Sequence, residues 1–220
     1  MKSIVDSTAF TQSYEGIAQD LRDRIVRGEI VAGSRLRERE IAEWYTISRT
    51  PAREALKQLA SDGLIVLTPN RGAEVARFDG QDAMNLFRVI AELEALAARC
   101  FAERVTAPLM AELENRHALT CKHFERRELD SYFFANNAVH ELIITECGNP
   151  ILTDAHARLM LRARAGRHLA LLDDRRWTEA MDEHELMMNA LRRHDADGVA
   201  GIWRRHLLNS GLALSKQVSG

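Results

Sequence analysis

The feature that most restricts how this chain can fold is a change of hydrophobic period at Asp62-Gly63. Upstream, Tyr14, Ile17, Leu21 and Ile25 recur at three- and four-residue spacing, which predicts a helix from Tyr14 to about Gly28. Ile30 to Ser34 contains Gly33 and reads as a turn. A short second helix is expected from Glu38 to Tyr45, burying Ile41 and either Trp44 or Tyr45. After a tight connection at Thr46-Ile47-Ser48, a third helix runs from about Arg49 to Ser61. Ser48 is placed to cap it, and Pro51 falls in the first turn, where its missing N–H has no intrahelical partner to lose. Asp62-Gly63 stops that helix. Beyond it, Leu64–Leu67 and Ala73–Ala76 are short β-like runs joined by Thr68-Pro69-Asn70-Arg71-Gly72, a hairpin with a polar, Gly-containing tip.

Three short helices followed by a hairpin is the order of a winged helix-turn-helix. From Asp79 onward the pattern is helical throughout, with segments expected near 80–104, 106–126, 129–147, 150–170, 175–194 and 196–217. In the first of these Leu86, Ile90, Leu93, Ala97 and Cys100 form a stripe facing a helical core. Short connections between such segments imply an antiparallel bundle. The expected fold is therefore mainly α, with residues 1–77 as the winged domain, 78–220 as an all-α helical bundle, and Arg77-Phe78-Asp79-Gly80 as the boundary.

Composition narrows the function classes. Formal net charge is −2, so the surface is not uniformly basic, and nucleic-acid binding would need a local cationic patch. Cys100, Cys121 and Cys147 are odd in number and widely spaced, a poor disulfide framework that points to a reducing cytoplasm. The opening MKSIVDSTAF has no signal-peptide run, and no later stretch has the apolar length of a membrane span. A cytoplasmic protein with no membrane partner is expected.

The cationic patch exists. Arg49, Arg53 and Lys57 recur every four residues on one face of the third helix, while Ala52, Ala55, Leu56 and Leu59 supply the inward face. In a helix-turn-helix this second helix of the pair enters the DNA major groove, where Arg suits guanine O6 and N7. Arg35, Arg37 and Arg39 add charge where the preceding helix begins, and Arg71 sits at the wing tip.

A second constellation lies in the helical half. His140, His184 and His206 occupy three different predicted helices, each on an apolar stripe: Phe133, Asn136, His140, Ile143 and Cys147 in one case. A histidine turned toward a core must find partners for its ring nitrogens. Three converging in one bundle, with Asn136 one turn before His140, suit Zn²⁺ or another late first-row divalent ion. His117, His123, His156, His168 and His194 lack such company and read as surface or ordinary core.

The stretch "LREREIAEWYTISRTPAREALKQLASDGLIVLTPNRGAEV" resembles the DNA-binding signature of the GntR family of bacterial transcriptional regulators, over residues 14–76. The helical remainder resembles the effector domain of the FadR subfamily, the FCD domain. The resemblance implies DNA contacts from Arg39, Arg49 and Arg53, assisted by Thr50 and by Arg71-Gly72 of the wing, and a homodimer on a palindromic double-stranded operator. It also implies a metal held by an acidic residue, a His four positions later, and two further His. That pattern falls on Asn136, His140, His184 and His206, with a neutral amide where a carboxylate is common. Open metal positions would hold a small organic or sugar acid as effector. Arg88, in a segment resembling the family's R-x-x-x-E, is a candidate carboxylate partner, joined by Asn209, with Arg158 and Arg162 weaker.

A three-histidine centre also fits a metal-dependent hydrolase carrying an accessory winged helix. Against an enzyme, there is no HExxH segment and no Gly-rich phosphate loop, and His184-Glu185 lacks a second histidine.

Overall fold

A computed structural model describes residues 13–68, 72–77 and 79–219, without the side chains of 162, 164, 165 and 219. The opening segment MKSIVDSTAF, Arg71 and the Arg162 side chain lie outside the described residues. The chain divides into two compact units, Met1–Phe78 and Asp79–Gly220.

The first unit contains α1 (Tyr14–Val26), β1 (Arg35–Leu36), α2 (Glu38–Tyr45), α3 (Arg49–Ser61), β2 (Ile65–Thr68) and β3 (Gly72–Val75). Ile17 and Leu21 of α1, Ile41 of α2 and Ala55 and Leu59 of α3 are buried, and α3 packs on both other helices. Of the two aromatic candidates in α2, Trp44 stays exposed and Tyr45 is half-buried, its hydroxyl donating to Asp20. Ser48 precedes α3 in extended conformation without a side-chain capping bond. Thr46, between α2 and α3, takes φ +54°, a left-handed residue that turns the chain sharply from one helix into the next.

The hairpin forms as expected, with Ile65 opposite Val75 and Thr68 opposite Gly72. It carries one addition. Arg35-Leu36, read as the residues after a turn, forms a third strand, so the antiparallel sheet runs β1-β3-β2 with Arg35 opposite Glu74. Two residues are too few to show a period of two, so only the pairing with β3 reveals the strand. Leu36, Ile65, Ala73 and Val75 turn the sheet's apolar side inward.

The second unit is helical among its described residues: α4 (Gly80–Arg104), α5 (Ala107–Glu125), α6 (Leu129–Glu146), α7 (Pro150–Ala170), α8 (Asp174–Arg192) and α9 (Ala196–Ser219). Polar side chains cap several of its helices. Asp79 accepts from Asp82 N–H at 2.6 Å, Thr106 from Leu109 N–H at 3.4 Å and Asn149 from Leu152 N–H at 3.1 Å. Each such cap satisfies an N–H that the helix start leaves unpaired.

Helix α4 is the spine, packing on α6, α7 and, most extensively, α9. Phe87, Ile90, Ala91, Ala98 and Phe101 are fully buried, whereas Leu86, Leu93 and Cys100 of the expected stripe are only partly so. Ile90 and Ala97 of the expected stripe are buried, but the buried face extends to the following positions, and Glu94 sits in the middle of it at 0 % exposure. The approach of α9 to α4 depends on Gly211, where an added Cβ would stand 2.6 Å from Phe87 Cβ.

Candidate functional site

In the first unit, Arg49, Thr50 and Arg53 are exposed on the N-terminal half of α3, whose other face is fixed by buried Ala52, Ala55 and Leu56. Arg53 is held in a two-pronged ion pair with Glu38 of α2, at 2.8 and 3.0 Å. Arg39 is exposed and lies 3.7 Å from Glu43, and Lys57 is paired with Glu54 at 2.9 Å. Exposed pairs of this kind contribute about 0–1 kcal/mol, so such side chains exchange a carboxylate for a phosphate or a base edge at small cost. Arg35 is exposed on β1, and Gly72 opens β3 with φ +85°, a conformation natural only to glycine.

In the second unit the three histidines converge. His140 (α6), His184 (α8) and His206 (α9) are 1, 1 and 3 % exposed, and one ring nitrogen from each lies within 4.8 Å of the others. His140 Nε2 and His184 Nε2 stand 3.3 Å apart. Two nitrogens bound to one tetrahedral ion at about 2.0–2.1 Å are about 3.3 Å from each other, so this spacing suits a shared zinc-like ion.

The outer nitrogens of two of these rings are tied down. His140 Nδ1–H donates to Glu94 at 2.5 Å, and His206 Nδ1–H donates to Glu183 at 2.7 Å. That leaves each Nε2 with its lone pair facing inward, the carboxylate–histidine arrangement that orients metal-binding imidazoles. Glu94 also accepts from Trp203 Nε1–H at 2.7 Å and from His156 Nε2–H at 3.0 Å. Glu183 accepts from Arg176 at 2.7 Å and from Asn209 at 2.6 Å. These donors offset the cost of burying two carboxylates.

Ionisation favours the ligating forms. Burial, reinforced by Arg167, pushes His140 down to about 3. Burial likewise lowers His184 and His206. All three rings are neutral near pH 7, the form that binds metal. Burial alone would raise Glu183, but the hydrogen bond from His206, aided by the Arg176 charge and the Asn209 hydrogen bond, holds it at about 2. Burial also opposes the charge on Glu94, and His140 and His156 outweigh it to hold this carboxyl well below the usual range.

Asn136 lies one turn before His140 on α6, is 4 % exposed, and its Oδ1 finds no hydrogen-bond donor among the described residues. A buried amide oxygen of this kind is costly unless something accepts its lone pairs. Three neutral imidazoles, two carboxylate braces and an unpartnered amide oxygen together fit a divalent cation.

Beside His140 a cleft of about 260 Å³ opens between α6 and α7, lined by Asn137, Thr145, Thr153, His156 and Arg167 among others. Arg167 is 5 % exposed and stands 3.8 Å from Glu94. This is the buried cation of the cleft, as Arg176 is of the Glu183–His206 side, and the sequence reading passed over both. Arg88 is instead exposed, bonded to Asn85, and is not brought to the histidines. Six residues at about 100° each place it roughly 120° round α4 from Glu94. Arg158 is also exposed, and Asn209 braces Glu183 rather than lining the cleft.

Two histidines read as ordinary have specific company. His156 joins the Glu94 network, and the His117 ring lies parallel to His184 within 6°, centroids 6.2 Å apart. Their partners come from other helices, which no spacing within one helix can reveal. For Glu94 a signal did exist: a lone acid on the Ile90, Ala91, Ala98, Phe101 line is a buried charge in search of partners.

Two family descriptions match separate stretches of the chain. Residues 13–75 match the family described as bacterial regulatory proteins, gntR family, and residues 85–209 match the FCD domain. The chain is 27% identical to the HTH-type transcriptional repressor RspR of Escherichia coli K12, over 85% of this chain and 82% of that protein. It is 28% identical to the gluconate operon transcriptional repressor of Bacillus subtilis 168, over 81% of this chain and 75% of that one. The solved structure of E. coli McbR/YncC superposes with a TM-score of 0.80 at 22% identity, covering 97% of this chain and all of that one, and so shares the fold. These relatives are regulators rather than hydrolases, and nothing in the comparisons favours the enzyme reading. The chain belongs to the gntR family of bacterial regulatory proteins, a DNA-binding regulator whose winged helix-turn-helix is followed by an FCD domain.

Proposed function

We propose that this protein is a cytoplasmic transcriptional repressor of the FadR subfamily, released from or committed to its operator by a small organic or sugar acid. Residues 1–77 bind a palindromic double-stranded operator through Arg39, Arg49, Thr50 and Arg53, with Arg35 and the Arg71-Gly72 wing assisting on the backbone. Residues 78–220 bind the effector and pair two copies, so that two heads meet the two half-sites. No helix among the described residues is long and apolar enough to cross a membrane, in keeping with a DNA ligand.

The observation that carries the reading is the convergence of His140, His184 and His206 beside a cleft containing Arg167. His140, His184 and His206, with Asn136 in place of the usual acid, would hold a divalent ion of the zinc class. The ion supplies a Lewis acid to which carboxylate oxygens can bind. Arg167, at the cleft wall, orients such a carboxylate by charge-assisted hydrogen bonds. The B. subtilis relative is named for a gluconate operon, which supports the sugar-acid class. An effector changes operator affinity only through different affinities for the two head arrangements.

The test is a thermal-shift screen of small carboxylic and sugar acids on the purified protein, with and without chelator and added Zn²⁺. An acid that stabilises only when metal is present is the expected result, since binding to the native state raises stability by mass action. Stabilisation that ignores metal and chelator would overturn the metal-centred pocket.

A further inference from the structure

A second group of metal-ligating side chains stands next to His184. His117 and Cys121 are one turn apart on α5, and Glu185 reaches them from α8. Cys121 Sγ is 3.7 Å from Glu185 Oε1 and lies against the His117 ring, 3.7 Å from Nδ1 and 3.9 Å from Nε2, and Nε2 is 3.7 Å from the same Glu185 oxygen. A triangle with such edges has its corners about 2.2 Å from its centre, within the range of about 2.0–2.3 Å spanned by Zn–N, Zn–O and Zn–S bonds. One ion can therefore touch all three with little movement.

We propose that His117, Cys121 and Glu185 form a second site, for a thiophilic divalent ion of the zinc class, separate from the three-histidine centre. A half-buried thiol hydrogen-bonded to a carboxylate would account for Cys121 and Glu185 alone. It does not account for the turn of His117, 5 % exposed, toward the same carboxylate oxygen. Thiolate and imidazole together select zinc-like ions over Mg²⁺ or Ca²⁺, which prefer all-oxygen shells. The Glu185 side chain is 51% exposed, which gives the ion a path from solvent and leaves a further coordination position for water. As the sulfur–metal bond forms, the Cys121 S–H proton passes to solvent, so one cation replaces another.

The two centres share α8: His184 serves the inner one and Glu185, its neighbour, serves this one. An ion in either site fixes the same turn of helix, so filling one orders a ligand of the other.

The test uses Co²⁺ as the probe on the full-length reduced protein. Cobalt bound to a thiolate gives a near-ultraviolet charge-transfer band that an imidazole-only centre does not. The expected result is such a band, lost in Cys121→Ser and kept in His206→Ala and in Cys100→Ser. Bound metal in Cys121→Ser should fall to about half that of the parent when both sites are filled. No band at saturating Co²⁺, or a band that survives Cys121→Ser, would overturn the second site. Loss of metal in His206→Ala with the band retained would leave this site standing, and retention of all metal there would count against the inner centre alone.

Discussion

His140 and Glu94, separated by 46 positions in the chain, meet across α6 and α4 in a 2.5 Å hydrogen bond with neither side chain more than 1 % exposed. That bond sets which imidazole nitrogen carries the proton and so which one faces His184. Glu94→Gln keeps the size of the side chain and removes its charge. Zinc affinity should fall about 10–100-fold, as it does when an outer carboxylate partner of a ligating histidine is lost. Competition with a chromophoric chelator measures this, and an unchanged affinity would leave Glu94 with a purely structural part.

Arg49→Ala and Arg53→Ala remove exposed side chains from α3 without touching its buried face. Each should weaken specific operator binding by at least about fivefold, in line with 1–3 kcal/mol for a good base contact. Melting temperature should hardly move, since surface substitutions stay within about 0.5 kcal/mol. Gel shift or fluorescence anisotropy at fixed salt is the check. Parent-like binding by both variants would take α3 out of the DNA interface.

Arg167 is the cation of the cleft, so Arg167→Met should cost a carboxylate effector about tenfold or more in affinity, while zinc stays bound. Calorimetric titration with the acid found in the screen, together with metal analysis of the variant, separates the two effects. Equal affinity in parent and variant would place the carboxylate elsewhere.

The histidine centre should make the metal-free protein acid-sensitive. His140 titrates near 3 in the folded chain because of burial and Arg167, against an ordinary value of 6.5. Between those values the unfolded chain binds a proton that the native one refuses. The stabilisation is complete above about 6.5 and is lost as pH falls toward 3. Glu183, held at about 2 against 4.5, works in the same direction at lower pH. Calorimetry in chelator should show the melting temperature dropping from pH 7 to pH 4. A flat profile would mean that the rings are not buried as neutral groups.

Gly211→Ala should destabilise the helical unit by about 1–3 kcal/mol, because the new methyl meets Phe87 Cβ, an atom held close to the α4 backbone. Urea denaturation reads the loss. A neutral or stabilising effect, as expected for Gly→Ala in a free helix, would show that α9 approaches α4 less closely.

Much of the architecture is legible in the order of residues because its determinants are local. The helix starts are written as Asp79, Thr106 and Asn149, each accepting from an N–H three residues on, and the winged unit is written as a switch of period at Gly63. The inward faces of Ala52, Ala55 and Leu56, and hence the outward Arg49 and Arg53, follow from 3.6 residues per turn. His140, His184 and His206 stand out because each interrupts an apolar stripe of its own helix.

What the sequence by itself determined, then, is what is set within one turn of helix or one hairpin: element types, caps, and the inward and outward faces of α3. Only the tertiary structure decided who meets whom there. It chose Arg167 and not Arg88, Glu94 and Glu183 as the braces of the histidines, and β1 as a strand. Those pairings join positions from 23 to 73 residues apart, so they depend on the packing phase of whole elements against one another. Because the buried face of α4 extends past Leu93 to Glu94, it takes in the charge that orients the site.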